Sequence, residues 1–216
     1  MKEYEWRNQE NTNNAQAKVV YGNGIYLSST IGDALVLANQ NDPQWSDYRN
    51  IYYSKNGKKW NQILLDNAIK TEIPNINEYM ISDICYGNGK FVVAIITDEY
   101  HLLFGYSTNA IDWTITQSNG LSNNYMIAVI KICYGNNKYS GLATISTNDK
   151  SFDCYSIYST DGINWNSNIV KTNAGSSQYH ELIRDICYGN NKFISILSIF
   201  TKDNLSIDFK QYEYNL

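Results

Sequence analysis

The chain of 216 residues lacks the features that mark several large protein classes. It has no apolar run of roughly 18 residues, so no transmembrane helix is expected. Its N-terminus, MKEYEWRNQENTNN, has no apolar stretch of the kind that signal peptides contain. This predicts a cytoplasmic protein, or one that is released by lysis or carried on a virion. The net charge of −4 and the pI of about 5.2 argue against a nucleic-acid binder, which usually has a basic face.

Proline and helix-forming segments are also scarce. The chain has only 2 prolines, and no long stretch rich in Ala, Leu, Glu and Lys recurs at helical spacing. What it has instead is 19 tyrosines, 5 tryptophans and many asparagines. Tyrosine and tryptophan favour strands, while asparagine and glycine favour turns. The composition therefore predicts an all-β fold.

A nonapeptide recurs four times. The copies KVVYGNGIY, DICYGNGKF, KICYGNNKY and DICYGNNKF begin at Lys18, Asp83, Lys131 and Asp185. Each places Asn-Gly or Asn-Asn between two apolar runs. Asn-Gly is a strong hairpin signal, because both central residues of the turn need positive φ. Units of about 50 residues with four short strands each are typical of propeller blades.

A second motif follows the first three copies and reads YSKNGKKW, YSTNAIDW and YSTDGINW. Its last copy, Ser159–Trp165, resembles the Asp-box, or BNR repeat, of sialidases and related propellers. The combined pattern YGNGKFV…YSTDGxxW also resembles repeats of bacterial and phage-encoded proteins, some of them tail-associated. The resemblance implies a turn between the third and fourth strands, on the face away from the ligand, in which Asp161 and Trp165 are structural. Asn56, Asn109 and Ala110 depart from the pattern.

The sequence thus predicts one domain, a small β-propeller of four blades with four antiparallel strands each. The blades are expected at about 17–65, 80–116, 127–170, and 182–216 together with 1–9. The fourth unit has no second motif, so the N-terminal segment is expected to supply its outer strand and close the ring. Closure of this kind removes an open sheet edge. The alternative is a larger ring made from two chains.

The repeated cysteine is interpreted as a packing residue. Cys85, Cys133 and Cys187 share one repeat position with Val20, which indicates a small apolar slot. A disulfide framework would use varied, paired positions. No histidine or acidic ligand accompanies these cysteines at a suitable spacing, so neither a metal nor a cofactor is expected. Cys154 stands apart in a third strand.

Candidate ligand-binding residues lie in the loops that join blades and in those that join the second and third strands. Tyrosine recurs in the between-blade loops, and its flat ring and polar tip suit sugars and partner surfaces. The alternative is that these rings fill gaps between blades. The loop at 38–50 combines a ring, a carboxylate and a guanidinium, which is typical of binding loops. Both histidines are predicted on the same face, where they either bind a ligand or are solvated loop residues. The predicted site residues are Tyr79, Tyr125, Tyr179, Trp45, Tyr48, Arg49, His101 and His180.

The sequence argues against catalysis. Sialidase chemistry, which the resemblance suggests, needs an arginine triad, and the only arginines are Arg7, Arg49 and Arg184. No nucleophile-elbow motif and no phosphate-binding glycine loop occur. The prediction is a non-catalytic, lectin-like module, monomer or homodimer, that binds glycans through repeated sites on one face. The alternative is a scaffold that grips a single protein partner, and a glycosidase is the third and least favoured hypothesis.

Overall fold

The computed structural model describes residues 16–31, 48–118, 121, 126–148, 151–176, 179–201 and 209–214. These residues form antiparallel strands and one short helix, which confirms the all-β prediction. The helix, α1 at Asp66–Glu72, was not expected from the sequence. The strands are β1 Gln16–Gly22, β2 Ile25–Ile31, β3 Ile51–Ser54, β4 Asn61–Ile63, β5 Tyr79–Gly87, β6 Lys90–Thr97, β7 Leu102–Ser107, β8 Thr114–Gln117, β9 Met126–Gly135, β10 Lys138–Asn148, β11 Ser151–Ser159, β12 Asn166–Ser176, β13 Tyr179–Gly189, β14 Lys192–Thr201 and β15 Phe209–Tyr214.

The strands pair in chain order. Strands β1 to β4 form one sheet, β5 to β8 a second, and β9 to β15 a third of seven strands. Within the third sheet, β12 and β13 share only the pairs Gly175–His180 and Ser176–Tyr179. This sheet therefore divides into a four-stranded part and a three-stranded part. The segment 1–9, predicted to add the last outer strand, lies outside the described residues, so closure of the ring stays a prediction.

Each nonapeptide forms a hairpin whose turn has the predicted backbone. The two central residues have positive φ in all four copies, for example 48° and 76° at Asn23 and Gly24 and 47° and 60° at Asn190 and Asn191. Such a turn matches the twist of the flanking strands, and it demands Gly or Asn because other side chains are strained there. The repetition of these letters is thus explained by turn geometry.

Neighbouring units pack through a tyrosine and a glycine of the same motif. The rings of Tyr86, Tyr134 and Tyr188 lie against the glycine that follows the tyrosine of the preceding copy. A Cβ atom at any of these glycines would overlap the ring. The glycine is therefore needed for a close approach of backbone and ring. The contacts join unit to unit at Gly22, Gly87 and Gly135.

The turn between β11 and β12 is built on two side chains. Ser159 Oγ accepts the Gly162 N–H at 2.8 Å, and Asp161 Oδ1 accepts the N–H groups of Ile163 and Asn164, both at 2.8 Å. Trp165 ends the turn and is fully buried. Asparagine serves equally well in the two earlier copies, where Asn56 and Asn109 accept the corresponding N–H groups through Oδ1.

The hydrogen bonds of this turn make its stability sensitive to acid. Burial acts to raise the pKa of Asp161, but hydrogen bonds from Asn164, Ile163 and Ser159 outweigh it and hold that pKa well below its usual range. A carboxylate whose folded-state pKa is lowered stabilises the fold above its ordinary value of 3.8, and this contribution is lost as the pH falls through the folded-state value. Asp161→Asn keeps the Oδ1 acceptor but has no carboxyl group that titrates. We expect thermal unfolding scans from pH 7 to pH 2 to give a weaker acid dependence for Asp161→Asn than for the natural chain.

The matched comparison is Asp161→Ala, which should cost about 1–3 kcal/mol at pH 7, because buried or turn N–H groups lose their acceptor. Asp161→Asn should be near neutral at pH 7, as Asn56 and Asn109 fill the same place. Equal losses for the two variants at pH 7 would contradict this account of the turn.

Candidate functional site

The loops predicted to carry a ligand site meet at the end of the molecule where β5 begins. Arg49 precedes β3, Glu78 precedes β5, and the turn Thr97–His101 joins β6 to β7. The Asp98 N–H donates to the carbonyl of Glu78 at 3.0 Å, which places that turn beside the start of β5. Loops from the first two sheets therefore form one surface.

Arg49 holds two carboxylates on this surface. Its Nη1 lies 4.0 Å from Asp66 Oδ1 and 3.8 Å from Glu78 Oε2. The three side chains are partly exposed, at 30% for Arg49, 35% for Asp66 and 43% for Glu78, although the Oε2 atom of Glu78 is itself buried. Because both oxygens lie within 4.0 Å of one nitrogen, they are at most about 8 Å apart, and glycoside hydrolases place their carboxyl pairs about 5–9.5 Å apart. We call Arg49, Asp66 and Glu78 the carboxylate pair site.

Tyr79 is a buried residue that contacts this site through Asp66. Its side chain is only 3% exposed, and its hydroxyl accepts the Leu65 N–H and donates to Asp66 Oδ2, both at 3.1 Å. Burial, with the nearby Asp66 carboxylate, raises the pKa of this tyrosine far above its usual value. The ring thus anchors the start of α1 and fixes Asp66. This favours the alternative in which the ring fills a gap between sheets.

Tyr48 and His101 flank the same surface. Tyr48 is partly buried and packs against the core cluster that includes Met80 and Phe104. His101 Nε2 lies 3.4 Å from Glu99 Oε2, and the His101 N–H donates to Thr97 Oγ1 at 3.0 Å. These contacts fix the turn that borders Glu78. The structure thus brings Tyr48, Arg49 and His101 to one side of the molecule.

The remaining predicted residues cannot be placed at this site. Trp45 and Tyr125 lie outside the described residues. Tyr179 and His180 are described through their backbone alone, in β13, where they pair with Thr201 and Phe200. Their part in ligand binding stays a prediction.

The first strands of the units carry a set of charges that the sequence reasoning missed. Strand β5 packs between β1 and β9, and β13 packs on β9, so these strands lie side by side about a common axis. The first residue of each nonapeptide holds the same repeat position at this place. These residues alternate in sign along the chain: Lys18, Asp83, Lys131 and Asp185. The alternation of charge is visible in the sequence once the four copies are aligned. It is the sequence signal from which these four residues could have been identified.

Asp83 is the centre of this axial set. It is 1% exposed, and it accepts hydrogen bonds from Lys18 Nζ at 2.8 Å and from the Ile132 N–H at 2.8 Å. Burial lowers the pKa of Lys18, but the Asp83 carboxylate outweighs it and raises that pKa above its ordinary value. One carboxylate therefore ties β1, β5 and β9 together. A register shift at Ser82, next to it, is the kind of bulge that re-aims a strand residue.

The repeated cysteines do not share one environment. Cys85 is buried, Cys133 partly buried and Cys187 exposed, and all three carry free thiols. Burial raises the pKa of Cys133 to about 12 and that of Cys85 well above its usual value. Such thiols are poor nucleophiles. The interpretation as a buried filler fits Cys85, and it is wrong for Cys187. Among the described residues, no group of three or more His, Cys, Asp or Glu side chains is placed to hold a metal ion.

The comparisons with known proteins find likeness in structure alone. No protein-family model and no curated protein matches the sequence. Solved structures do match, with 91% of this chain superposing on 35% of a mutant Trypanosoma rangeli sialidase that displays trans-sialidase activity (12% identity, TM-score 0.53). A thermostable family-43 glycoside hydrolase matches over 94% of this chain and 72% of its own (9% identity, TM-score 0.54). An N-acetylgalactosamine deacetylase from F. plautii, in complex with blood group B trisaccharide, matches over 83% and 59% (13% identity, TM-score 0.52).

These likenesses establish the fold and correct the predicted function. The propeller fold of the matching structures confirms the coarse prediction of a β-propeller, while the number of blades stays a prediction. The chain spans about a third of the sialidase and 59% of the deacetylase. All three structures are of enzymes, and this contradicts the prediction of a non-catalytic, lectin-like module and does not favour the protein scaffold. No helix in the described ranges has the length and apolar character of a membrane span.

Proposed function

We propose that this chain is a glycosidase-type propeller that cleaves glycosidic bonds at the carboxylate pair site. The observation that carries the proposal is the pair itself: Asp66 and Glu78 are both partly exposed, and each has a carboxylate oxygen within 4.0 Å of Arg49 Nη1. Glycoside hydrolysis needs two carboxyl groups on either side of the scissile bond, one to give a proton and one to act as base or nucleophile. The likeness to enzymes that act on carbohydrates supports this choice among the chemistries that two carboxylates can perform.

The contacts suggest which carboxyl group does what. Asp66 Oδ2 accepts the Tyr79 hydroxyl while Oδ1 faces Arg49, so its charge is well supported. We assign Asp66 as base or nucleophile. Glu78 Oε2 is buried and accepts no hydrogen bond within the described part of the chain, and Arg49 Nη1 lies 3.8 Å from it, slightly nearer than the 4.0 Å to Asp66 Oδ1. We assign Glu78 as the general acid, because hydrolysis needs a second carboxyl group that gives a proton to the leaving group.

The charge of the surface favours a neutral or amino sugar over an acidic one. One guanidinium, Arg49, faces the carboxylates of Asp66 and Glu78, and Asp98 and Glu99 lie in the adjoining turn. Carboxylates outnumber the fixed positive charge. An acidic sugar would be repelled at such a surface, whereas hydroxyl and ammonium groups would find acceptors. We therefore expect pentosides and hexosaminides to be better substrates than sialosides.

A panel of fluorogenic aryl glycosides tests the activity. We expect release of the fluorophore from at least one neutral or amino-sugar glycoside, and we expect Glu78→Gln and Asp66→Asn to lower kcat/KM by about 100-fold or more. The matched control is Glu72→Gln, an exposed carboxylate on the same helix as Asp66, which should stay within about twofold. Failure to hydrolyse any glycoside, or full activity of Glu78→Gln, would refute the proposal.

We propose four blades at about 17–65, 80–116, 127–170, and 182–216 with 1–9, whose Ser-x-Asp/Asn turns are Asp-box turns. In the described residues β15 pairs with β14 on one side, and its other edge is where the N-terminal strand would add. Deletion of residues 1–9 should then lower the melting temperature, and a synthetic peptide of that sequence, added in trans, should restore it. Unchanged stability after the deletion would rule out this strand.

A further inference from the structure

The turn between β3 and β4 carries a positive charge that the equivalent turns of the next two units lack. Lys55, Lys58 and Lys59 lie within five residues of each other, and all three are exposed. The stretch 48–65 around them contains no Asp or Glu. Among the described residues, no carboxylate oxygen lies within 4.0 Å of any of the three ammonium groups. Like charges this close repel each other, so the turn has an unbalanced positive charge that favours an anion.

The last residue before the tryptophan of this turn differs in its contacts from unit to unit. In the second unit Asp112 Oδ2 accepts a hydrogen bond from Asn109 Nδ2 at 2.8 Å. In the third unit Asn164 Nδ2 donates to Asp161 Oδ2, also at 2.8 Å. Lys59 holds this position in the first unit and gives the turn its backbone N–H, while its ammonium makes no hydrogen bond to the rest of the described chain. The first unit therefore lacks the side-chain bond across the turn and has a free cation in its place.

A small cavity lies beside this turn. Its volume is about 190 Å³, and it is lined by Tyr53, Lys55, Asn56, Lys59 and Asn61. Tyr53 and Asn61 are partners in the pairing of β3 with β4, so two strands form one wall. Lysine and asparagine side chains supply N–H donors, and the tyrosine supplies a ring. Since a water takes up about 30 Å³, the cavity has room for roughly six waters, more than a bare tetrahedral anion fills.

The backbone of the turn is fixed without help from the lysine side chains. Ser54 Oγ accepts the Gly57 N–H at 2.9 Å. Asn56 Oδ1 accepts the N–H groups of Lys58 and Lys59 at 2.9 and 3.0 Å. A ligand therefore meets a preformed turn, which keeps the entropic cost of binding low. For the same reason, replacement of a lysine side chain leaves the hydrogen bonds of the turn in place.

We propose that this cavity binds a sulfate or phosphate ester carried on a single sugar ring. Lys55 and Lys59 supply the positive charge, and lysine is a common partner of phosphate groups in proteins. The Tyr53 ring offers an apolar wall against which a sugar can lie. A free inorganic ion has the same charge, but it would leave the ring and most of the cavity without a contact.

This cavity is separate from the carboxylate pair site. Arg49 and Lys55 flank opposite ends of β3, six residues apart, which is roughly 20 Å at about 3.3 Å per residue. The Debye length is about 8 Å at physiological ionic strength, so the carboxylates of Asp66 and Glu78 have little effect on an anion here. Binding of the ester is additional to the hydrolysis proposed above and does not depend on it.

Calorimetric titration of the full chain at low ionic strength tests the site. The probes are glucose 6-phosphate, glucose 6-sulfate, glucose and inorganic phosphate. We expect both esters to bind with a Kd of about 1 mM or below, glucose to give no binding heat, and inorganic phosphate to bind at least about tenfold more weakly than the esters. Lys55→Gln combined with Lys59→Gln should weaken ester binding at least about tenfold, because two ion pairs are lost. Absence of ester binding, or inorganic phosphate binding as tightly as the esters, would overturn the proposal.

Two further variants separate a built site from general surface charge. Lys58→Gln removes the same charge from the same turn at a residue that does not line the cavity, and it should change ester binding by less than about threefold. Lys59→Asp reproduces the turn of the second unit, so it should abolish ester binding and raise the melting temperature by adding a bond to Asn56. Equal weakening in Lys58→Gln and the double variant, or ester binding retained in Lys59→Asp, would contradict the site. None of these measurements depends on cleavage of the aryl glycosides.

Discussion

Replacement of Trp165 by alanine is expected to lower the free energy of unfolding by about 3–5 kcal/mol, the usual cost of removing a large buried aromatic ring. Trp165 is fully buried and stacks on Phe104 of the second sheet, with ring centroids 3.8 Å apart and planes 7° apart. The Tyr139 ring is a second neighbour of Trp165, with ring centroids 6.1 Å apart. The tryptophan is thus shared by the second and third sheets, and its loss opens a cavity between them. Urea unfolding followed by circular dichroism measures the difference.

The repeat supplies the control for this variant. Trp60 holds the same place in the first unit but is 37% exposed, so Trp60→Ala should cost about 1 kcal/mol or less. Trp165→Phe adds a finer test. The indole Nε1 of Trp165 is buried and has no hydrogen-bond partner, so phenylalanine removes an unsatisfied donor as well as ring area. We expect Trp165→Phe to lower the free energy of unfolding by much less than Trp165→Ala does. Similar losses for Trp60→Ala and Trp165→Ala would show that the stack does not stabilise the sheets.

The hairpins were predictable because their signals are local. Asn-Gly and Asn-Asn at the turns fix positive φ within two residues, and the flanking apolar runs fix the strands, whatever the rest of the chain does. The turn at Ser159–Trp165 is equally local, since each of its hydrogen bonds spans at most three residues. Helix α1 was missed because seven residues are too few to show a helical period, and because tertiary contacts at Tyr79 support its first turn.

The site was only half visible in the sequence. The loop containing Arg49 was recognised by its mixture of residue types. Its partners Asp66 and Glu78 lie in other segments of the chain, and no motif surrounds them. No spacing rule connects them. Tyr79 was selected because it recurs before each hairpin, yet recurrence reports an equivalent position and cannot separate a ring that faces solvent from one that packs inside.

Asp83→Ala is expected to cost about 3–5 kcal/mol, since removal of one partner leaves a charge and its donors in a low-dielectric interior without an acceptor. The carboxylate is 1% exposed and accepts from Lys18 Nζ and from the N–H groups of Ile84 and Ile132. Three sheets meet at this group, so the loss should appear as one cooperative drop in stability. A double-mutant cycle that combines Asp83→Ala with Lys18→Met should give a stabilising coupling energy between the two side chains, because they contact each other directly.

The pH dependence of this pair has a definite sign. The folded-state pKa of Lys18 is raised above its ordinary value of 10.5, so its stabilisation is complete below that pH and is lost as the pH rises through the folded-state value. Alkaline unfolding should therefore begin at lower pH in Asp83→Ala than in the natural chain. Asp185→Ala is the matched control, since Asp185 holds the same repeat position, is exposed and accepts the Ile186 N–H, and it should cost about 1 kcal/mol or less. Equal losses of stability in Asp83→Ala and Asp185→Ala would mean that each carboxylate only accepts local backbone hydrogen bonds. Such a result would contradict the link that Asp83 makes between three sheets.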